Sequence, residues 1–129
     1  IYFYVKSFQE LNSAVCSVAL SLIKFHKQVD IVLSSRLLDI SYERDGEFSS
    51  FSEFIPTEYL LFILGVGERA NKQLAPWILS ILEERIFSKK ISHIFSSFTI
   101  PGLISKYQSL TEIPSNFGTV LNTFQRVDV

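Results

Sequence analysis

Along the first part of the chain, apolar positions recur in steps of three and four: Phe8, Leu11, Val15, Val18, Leu22, Phe25, Val29 and Val32. This spacing predicts a long helix with one face committed to packing. Ser7 reads as its N-cap, and Glu10 three residues later completes a capping box. The pattern carries the helix to Ile40, with the polar positions around Gln28 and Asp30 marking a place where it can split. A second apolar line runs through Ala14, Ala19, Ile23, Ile31, Leu33, Leu37 and Leu38. Two apolar faces suit the central element of a bundle better than one strand of a coiled coil. Ahead of the helix, Ile1 to Val5 is β-branched and aromatic and reads as extended.

Downstream, the pattern is cut into shorter pieces. Ser41 to Glu53 is a break, with a turn-forming Asp45-Gly46 inside a charged run. Pro56 suits the first turn of a second helix, with Glu58 near its positive end. Tyr59 to Leu64 is apolar on every side and must be deeply buried, and Gly65-Val66-Gly67 ends or kinks that segment. Pro76 opens a further helix with Ile78, Ile81, Leu82, Arg85 and Ile86 on one face. Ile91, Ile94, Phe95 and Phe98 fit the helical period, as do Leu103, Ile104, Tyr107 and Leu110 after Pro101-Gly102. Phe117, Val120, Leu121 and Phe124 do the same after Pro114 and Ser115. The expected fold is therefore all-α: an irregular helical bundle of about five to seven helices around the long first one, in a single domain spanning residues 1–129. A slice of an α-solenoid is the alternative.

Composition sharpens this picture. Hydrophobic residues make up 47% of the 129 and charged residues 19%, the opposite of the balance that keeps a chain disordered. Phenylalanine is over-represented, with 12 against five Tyr and one Trp, so some rings are expected to meet a partner rather than the internal core. The chain has no Met and begins at Ile1, which reads as a piece of a longer protein. A net charge of −1 carries no nucleic-acid footprint, and on this ground nucleic acid is disfavoured as a partner. The single cysteine, Cys16, excludes an internal disulfide and suits a reducing, intracellular setting, cytoplasmic or nuclear. No stretch approaches the roughly 18 uncharged apolar residues of a membrane span.

Candidate chemistry is sparse. Gly65-Val66-Gly67-Glu68-Arg69-Ala70 fits the G-x-G-x-x-A fingerprint, in which glycines let backbone N–H groups grip a pyrophosphate at a helix N-terminus. The competing reading is a glycine hinge between helices. His26 and His93 are the two histidines, and Cys16 lies too far from His26 along a helix to share a metal with it. Glu83 and Glu84 are adjacent and diverge by about 100° on a helix, so they do not form an acid–base pair by local geometry. Lys24 with Lys27, and Arg85 with Lys89 and Lys90, are the basic clusters, beside which Phe87 or Phe95 is placed to stack a base.

Ile55-Pro56-Thr57-Glu58-Tyr59-Leu60-Leu61-Phe62-Ile63-Leu64 resembles the opening of an F-box, with Trp77 near that family's tryptophan. The resemblance implies a ubiquitin-ligase adaptor. The Gly65-Val66-Gly67 break and Pro76 depart from the pattern, and the reading is not adopted.

Phe48, Phe51 and Phe54 interleave with Ser49, Ser50 and Ser52 in a charge-flanked stretch, an arrangement used by recognition segments. The expectation is a non-catalytic interaction domain or subunit of a larger intracellular complex, with no catalytic residue, metal or cofactor. It would dock on another protein, including a second copy of itself, through apolar helix faces and the Phe anchors. The expected contact residues are Phe48, Phe51, Phe54, Arg85 and Lys89. The alternatives are a nucleic-acid-associated helical module and a nucleotide-binding enzyme fragment using Gly65 to Ala70.

Overall fold

A computed structural model of the chain describes residues 1–22, 29–36, 60–68, 74–110 and 116–129. They form an α/β fold, not a helical bundle or a solenoid slice. A five-stranded sheet runs in the order β2-β3-β4-β1-β5, with β1 over Tyr2–Tyr4, β2 over Val29–Leu33, β3 over Leu60–Leu64, β4 over Ile91–Ser96 and β5 over Arg126–Asp128. Every neighbouring pair is parallel. The helices are α1 (Leu11–Leu22), α2 (Leu74–Phe87), α3 (Ile100–Gln108) and α4 (Phe117–Asn122).

The correction has a physical cause. Parallel strands are covered on both faces, so they read as continuous apolar runs instead of alternating ones. Leu60 to Leu64 is such a run, and all five residues are buried. The burial expected for this segment holds, but the element is a strand, which also removes the helix on which the F-box resemblance depends. Ile91 to Ser96 is buried after its first residue, and its apparent helical spacing is an accident of which positions are apolar. The long first helix ends at Leu22, and Val29 to Leu33 re-forms as an edge strand beside β3.

Two apolar layers sandwich the sheet. On one face α1 contributes Leu11, Ala14 and Val15 against Phe3, Val5, Leu60, Phe62, Leu64 and Phe95. On the other, α2, α3 and α4 pack over Tyr2, Leu61, Ile63 and Ile94. Helix α2 is buried on most of its circumference, from Leu74 to Arg85, and is the hub of that layer. Each Val, Leu, Ile or Phe side chain so covered contributes about 1.5–3 kcal/mol.

This division follows from connectivity. The chain leaves β1 for one edge at β2, then returns through β3 and β4 and crosses β1 to reach β5. Crossovers keep one hand, so reversing direction moves the helices to the opposite face. Where β1 and β4 lie side by side, the loops leaving their carboxyl ends therefore part to opposite faces. In open parallel sheets that parting is where ligand crevices form.

Candidate functional site at the carboxyl end of the sheet

The β1–α1 connection is short. Val5 and Lys6 lead through Ser7 into a 3-10 turn at Phe8–Glu10, closed by the Glu10 N–H donating to the Ser7 carbonyl at 3.1 Å. The first glycine in the whole chain is Gly46, so this connection has no residue free to adopt the left-handed backbone that phosphate-cradling loops use. Glu10 adds negative charge at the head of α1, the end where an anion would otherwise be favoured.

The β3–α2 connection begins with Gly65 (φ +69) and Gly67 (φ +96). Three of its N–H groups are already engaged. Gly65 donates to the Phe95 carbonyl at 2.9 Å, Val66 to the same oxygen at 3.4 Å, and Glu68 back to Gly65 at 3.1 Å. Gly67 is needed for space as well as backbone angle, because a Cβ there would stand 2.7 Å from the Phe98 ring and 2.8 Å from Leu103. The G-x-G pattern follows a true strand, as the nucleotide-binding alternative required. Its glycines nevertheless serve close packing of loop on loop. Arg69 and Ala70, which complete the fingerprint, lie outside the described residues.

Hydroxyl groups tie the neighbouring loops together. Ser34, at the end of β2, donates to the Gly65 carbonyl at 2.9 Å. Ser96, fully buried, donates to the Val66 carbonyl at 2.6 Å and accepts from the Phe98 N–H at 3.1 Å. Ser97 donates to the Glu68 carboxylate. Tyr2 donates to the Phe98 carbonyl at 2.6 Å, and burial pushes its pKa up to about 12 although the Ser96 hydroxyl and Arg126 pull the other way. The Tyr107 hydroxyl is buried beside the Gly67 backbone without a hydrogen-bond partner, and burial raises its pKa too. Thr99 caps α3 by accepting from the Gly102 N–H at 3.2 Å, with Pro101 in the first turn. The Ser34, Ser96, Ser97 and Tyr2 hydroxyls thus fill the crevice mouth with internal bonds.

Of the expected contact residues, Arg85 and Lys89 are described, and they lie at the end of α2. Phe48, Phe51, Phe54, Lys24, Lys27 and His26 lie outside the described residues. Arg85 is 1% exposed, with its guanidinium donating to the Ser92 hydroxyl and the Ile91 carbonyl, each at 2.7 Å. Burial lowers its pKa, while the Asp30 charge acts in the opposite sense. Arg85 thus fastens the end of α2 to the start of β4, and Lys89 is exposed in the turn between them. Phe95 is buried, whereas Phe87 is 86% exposed. His93 is buried, with its ring 5.6 Å from those of Phe3 and Phe62. Among the described residues no group of His, Cys, Asp or Glu is placed to hold a metal ion. None of their helices is long and apolar enough to cross a membrane.

The fold corresponds to that of known proteins. A crystal structure of a DNA replication initiation factor superimposes with a TM-score of 0.67 at 12% identity, over 99% of this chain and 39% of that one. AMPPCP-bound DnaA from Aquifex aeolicus superimposes with a TM-score of 0.69 at 14% identity, over 100% of this chain and 39% of that one. The fold is theirs. No family model matches the chain, and no curated protein matches it. The chain spans about two fifths of the length of either structural neighbour, 39% in each case.

Proposed function

We propose that this chain is a non-catalytic assembly domain of a nucleic-acid-associated complex, of the DNA-replication-initiation kind that its structural neighbours represent. The fold likeness supports the setting. The non-catalytic part rests on one observation: around the β1/β4 parting, the N–H groups of Gly65, Val66 and Glu68 and the hydroxyls of Tyr2, Ser34, Ser96 and Ser97 are spent on bonds within and between the loops. A phosphate cradle needs converging, unspent N–H groups and glycine at the turn. Here the β1–α1 connection has no glycine and carries Glu10, and the Gly65–Glu68 loop is bonded to β4 and to itself. The sheet then acts as a rigid platform that holds helices and turns in position for contact with other components.

A titration of the full chain with a fluorescent ATP analogue and magnesium tests this. The expected result is no saturable binding up to about 1 mM, an affinity worth only about 4 kcal/mol. Micromolar binding accompanied by phosphate release overturns it and restores the nucleotide-binding alternative.

A further inference from the structure

The end of the sheet opposite the crevice carries a different arrangement. Helix α2 ends in a tight turn in which the Lys89 N–H donates to the Ile86 carbonyl at 3.0 Å and the Lys90 N–H to the Arg85 carbonyl at 2.8 Å. This paired bonding places Lys89 at the position after the helix that takes the left-handed conformation, and its φ is +57. Glycine occupies that position at no steric cost, whereas a lysine is held there under strain. Among the described residues outside glycine, Lys89 alone has a positive φ.

The turn also exposes apolar surface. Phe87 is 86% exposed and Ile86 is 53% exposed. Lys89 and Lys90 follow directly and make no ion pair among the described residues. Lys90 also lines a groove of about 260 Å³ with Ile86, Ile91, Ser92 and Phe124. Arg85, one turn back, is committed internally and pins this turn to β4, so the exposed groups stand on a fixed base. The nearest acidic neighbours on the helix are Glu83, which bonds the Asn116 side chain, and Glu84.

An exposed aromatic face flanked by two cations matches the chemistry of a single nucleic-acid strand. Every base offers a π-face for stacking, and each linking phosphate offers a negative charge. A folded protein partner would more often ask for a broad apolar patch, and here the apolar groups are narrow and the charges adjacent. We propose that the α2–β4 turn, through the Phe87 ring, Lys89 and Lys90, is a contact site for single-stranded nucleic acid. The inference rests on the nucleic-acid-associated reading above and adds to it a place and a strand form.

Fluorescence anisotropy of a labelled oligo-dT strand with the full chain, across a salt series, tests it. The expected result is binding that weakens with salt. Phe87→Ala is expected to bind about tenfold more weakly, the scale of one lost base stack. Lys89→Gly combined with Lys90→Gln should lower the salt slope by about 1.4, at about 0.7 per lost phosphate contact on single strands. Phe87→Ala removes an exposed ring, and Lys89→Gly removes strain, so both variants should fold. Wild-type binding that the variants leave unchanged overturns this site and leaves the broader reading standing. Absence of oligonucleotide binding by the wild type overturns this site too, whereas the broader reading falls to the nucleotide titration described above. A poly-glutamate competitor that displaces the strand at equal charge concentration assigns the turn to protein carboxylates and overturns the nucleic-acid assignment.

Discussion

The two ends of the sheet differ in how they use polar groups. At the carboxyl end, Ser34, Ser96, Ser97 and Tyr2 each bond a neighbouring loop, and the glycines exist to let those loops touch. At the amino end, Arg85, Ser92 and His93 are turned inward, while Phe87 and Lys89 face solvent and Lys90 is half-buried. One end is built for internal cohesion and the other tolerates strain and exposed aromatic surface. The difference teaches that the fold's usual ligand crevice need not be where a given chain makes its contacts. Position in a fold nominates a site, and the spending of hydrogen bonds decides whether the site is open.

The contrast makes quantitative expectations. The largest effect belongs to Gly67→Ala, which adds a Cβ 2.7 Å from the Phe98 ring at φ +96. Strain plus overpacking should cost about 3 kcal/mol in urea unfolding. A loss below about 0.5 kcal/mol would mean that the loops are not in contact as described.

Alkaline pH should act next. Tyr2 has its pKa raised from 10.0 to about 12, so the folded state favours the neutral phenol. Its stabilising contribution is complete below pH 10 and is lost as pH rises from about 10 to about 12, a change of roughly 2–3 kcal/mol. The raised pKa of Tyr107 acts in the same sense. Unfolding measured at pH 9 and pH 11.5 should show the loss in wild type and a smaller one in Tyr2→Phe. Equal losses in the two would remove Tyr2 from the account.

The smallest effect has the opposite sign. Lys89→Gly should stabilise the chain by about 1 kcal/mol, because glycine adopts that backbone freely. A destabilised Lys89→Gly would show that the lysine side chain supports the fold, and the two ends would no longer differ in kind.

The sequence was informative where one signal sufficed. Ile1 to Val5 reads as extended and contains β1, and the first apolar stripe correctly places α1 as far as Leu22. The short helix through Leu103, Ile104 and Tyr107 is legible, although it takes in the Pro101-Gly102 pair that reads as an interruption, and the burial of Leu60 to Leu64 is plain from its composition. Strand and helix were confused where short apolar runs satisfy both periods, as at Val29 to Leu33 and Ile91 to Ser96. The edge strand β5, Arg126-Val127-Asp128, is too short and polar to declare itself; it forms because β1 offers a free edge. In the candidate crevice, the two glycines were visible, but Ser96, Ser97 and Tyr107 were not. Their partners come from loops distant in sequence, and serine is too common to stand out alone. At the amino end, the signal for Lys89 was present: a helix closing on Ser88-Lys89-Lys90, with no glycine to end it. For Arg85 the signals conflict: its spacing puts it on the apolar face of the helix, its charge marks it as a contact residue, and the packing of α2 against β4 keeps it inside.

The central position of β1 bears on how the chain comes together. This opening strand is flanked by β4 and β5, both from the far half of the sequence, through pairs such as Tyr2 with Ile94 and Tyr2 with Arg126. During synthesis Tyr2 to Tyr4 therefore emerges ahead of the other four strands and must wait for both of its neighbours. Closing such long loops precedes the reward of pairing, which places this chain among the slower folders for its size. Until β4 arrives, the newborn strand has an exposed apolar surface and two unpaired edges, the state in which a ribosome-bound chain has most need of a chaperone.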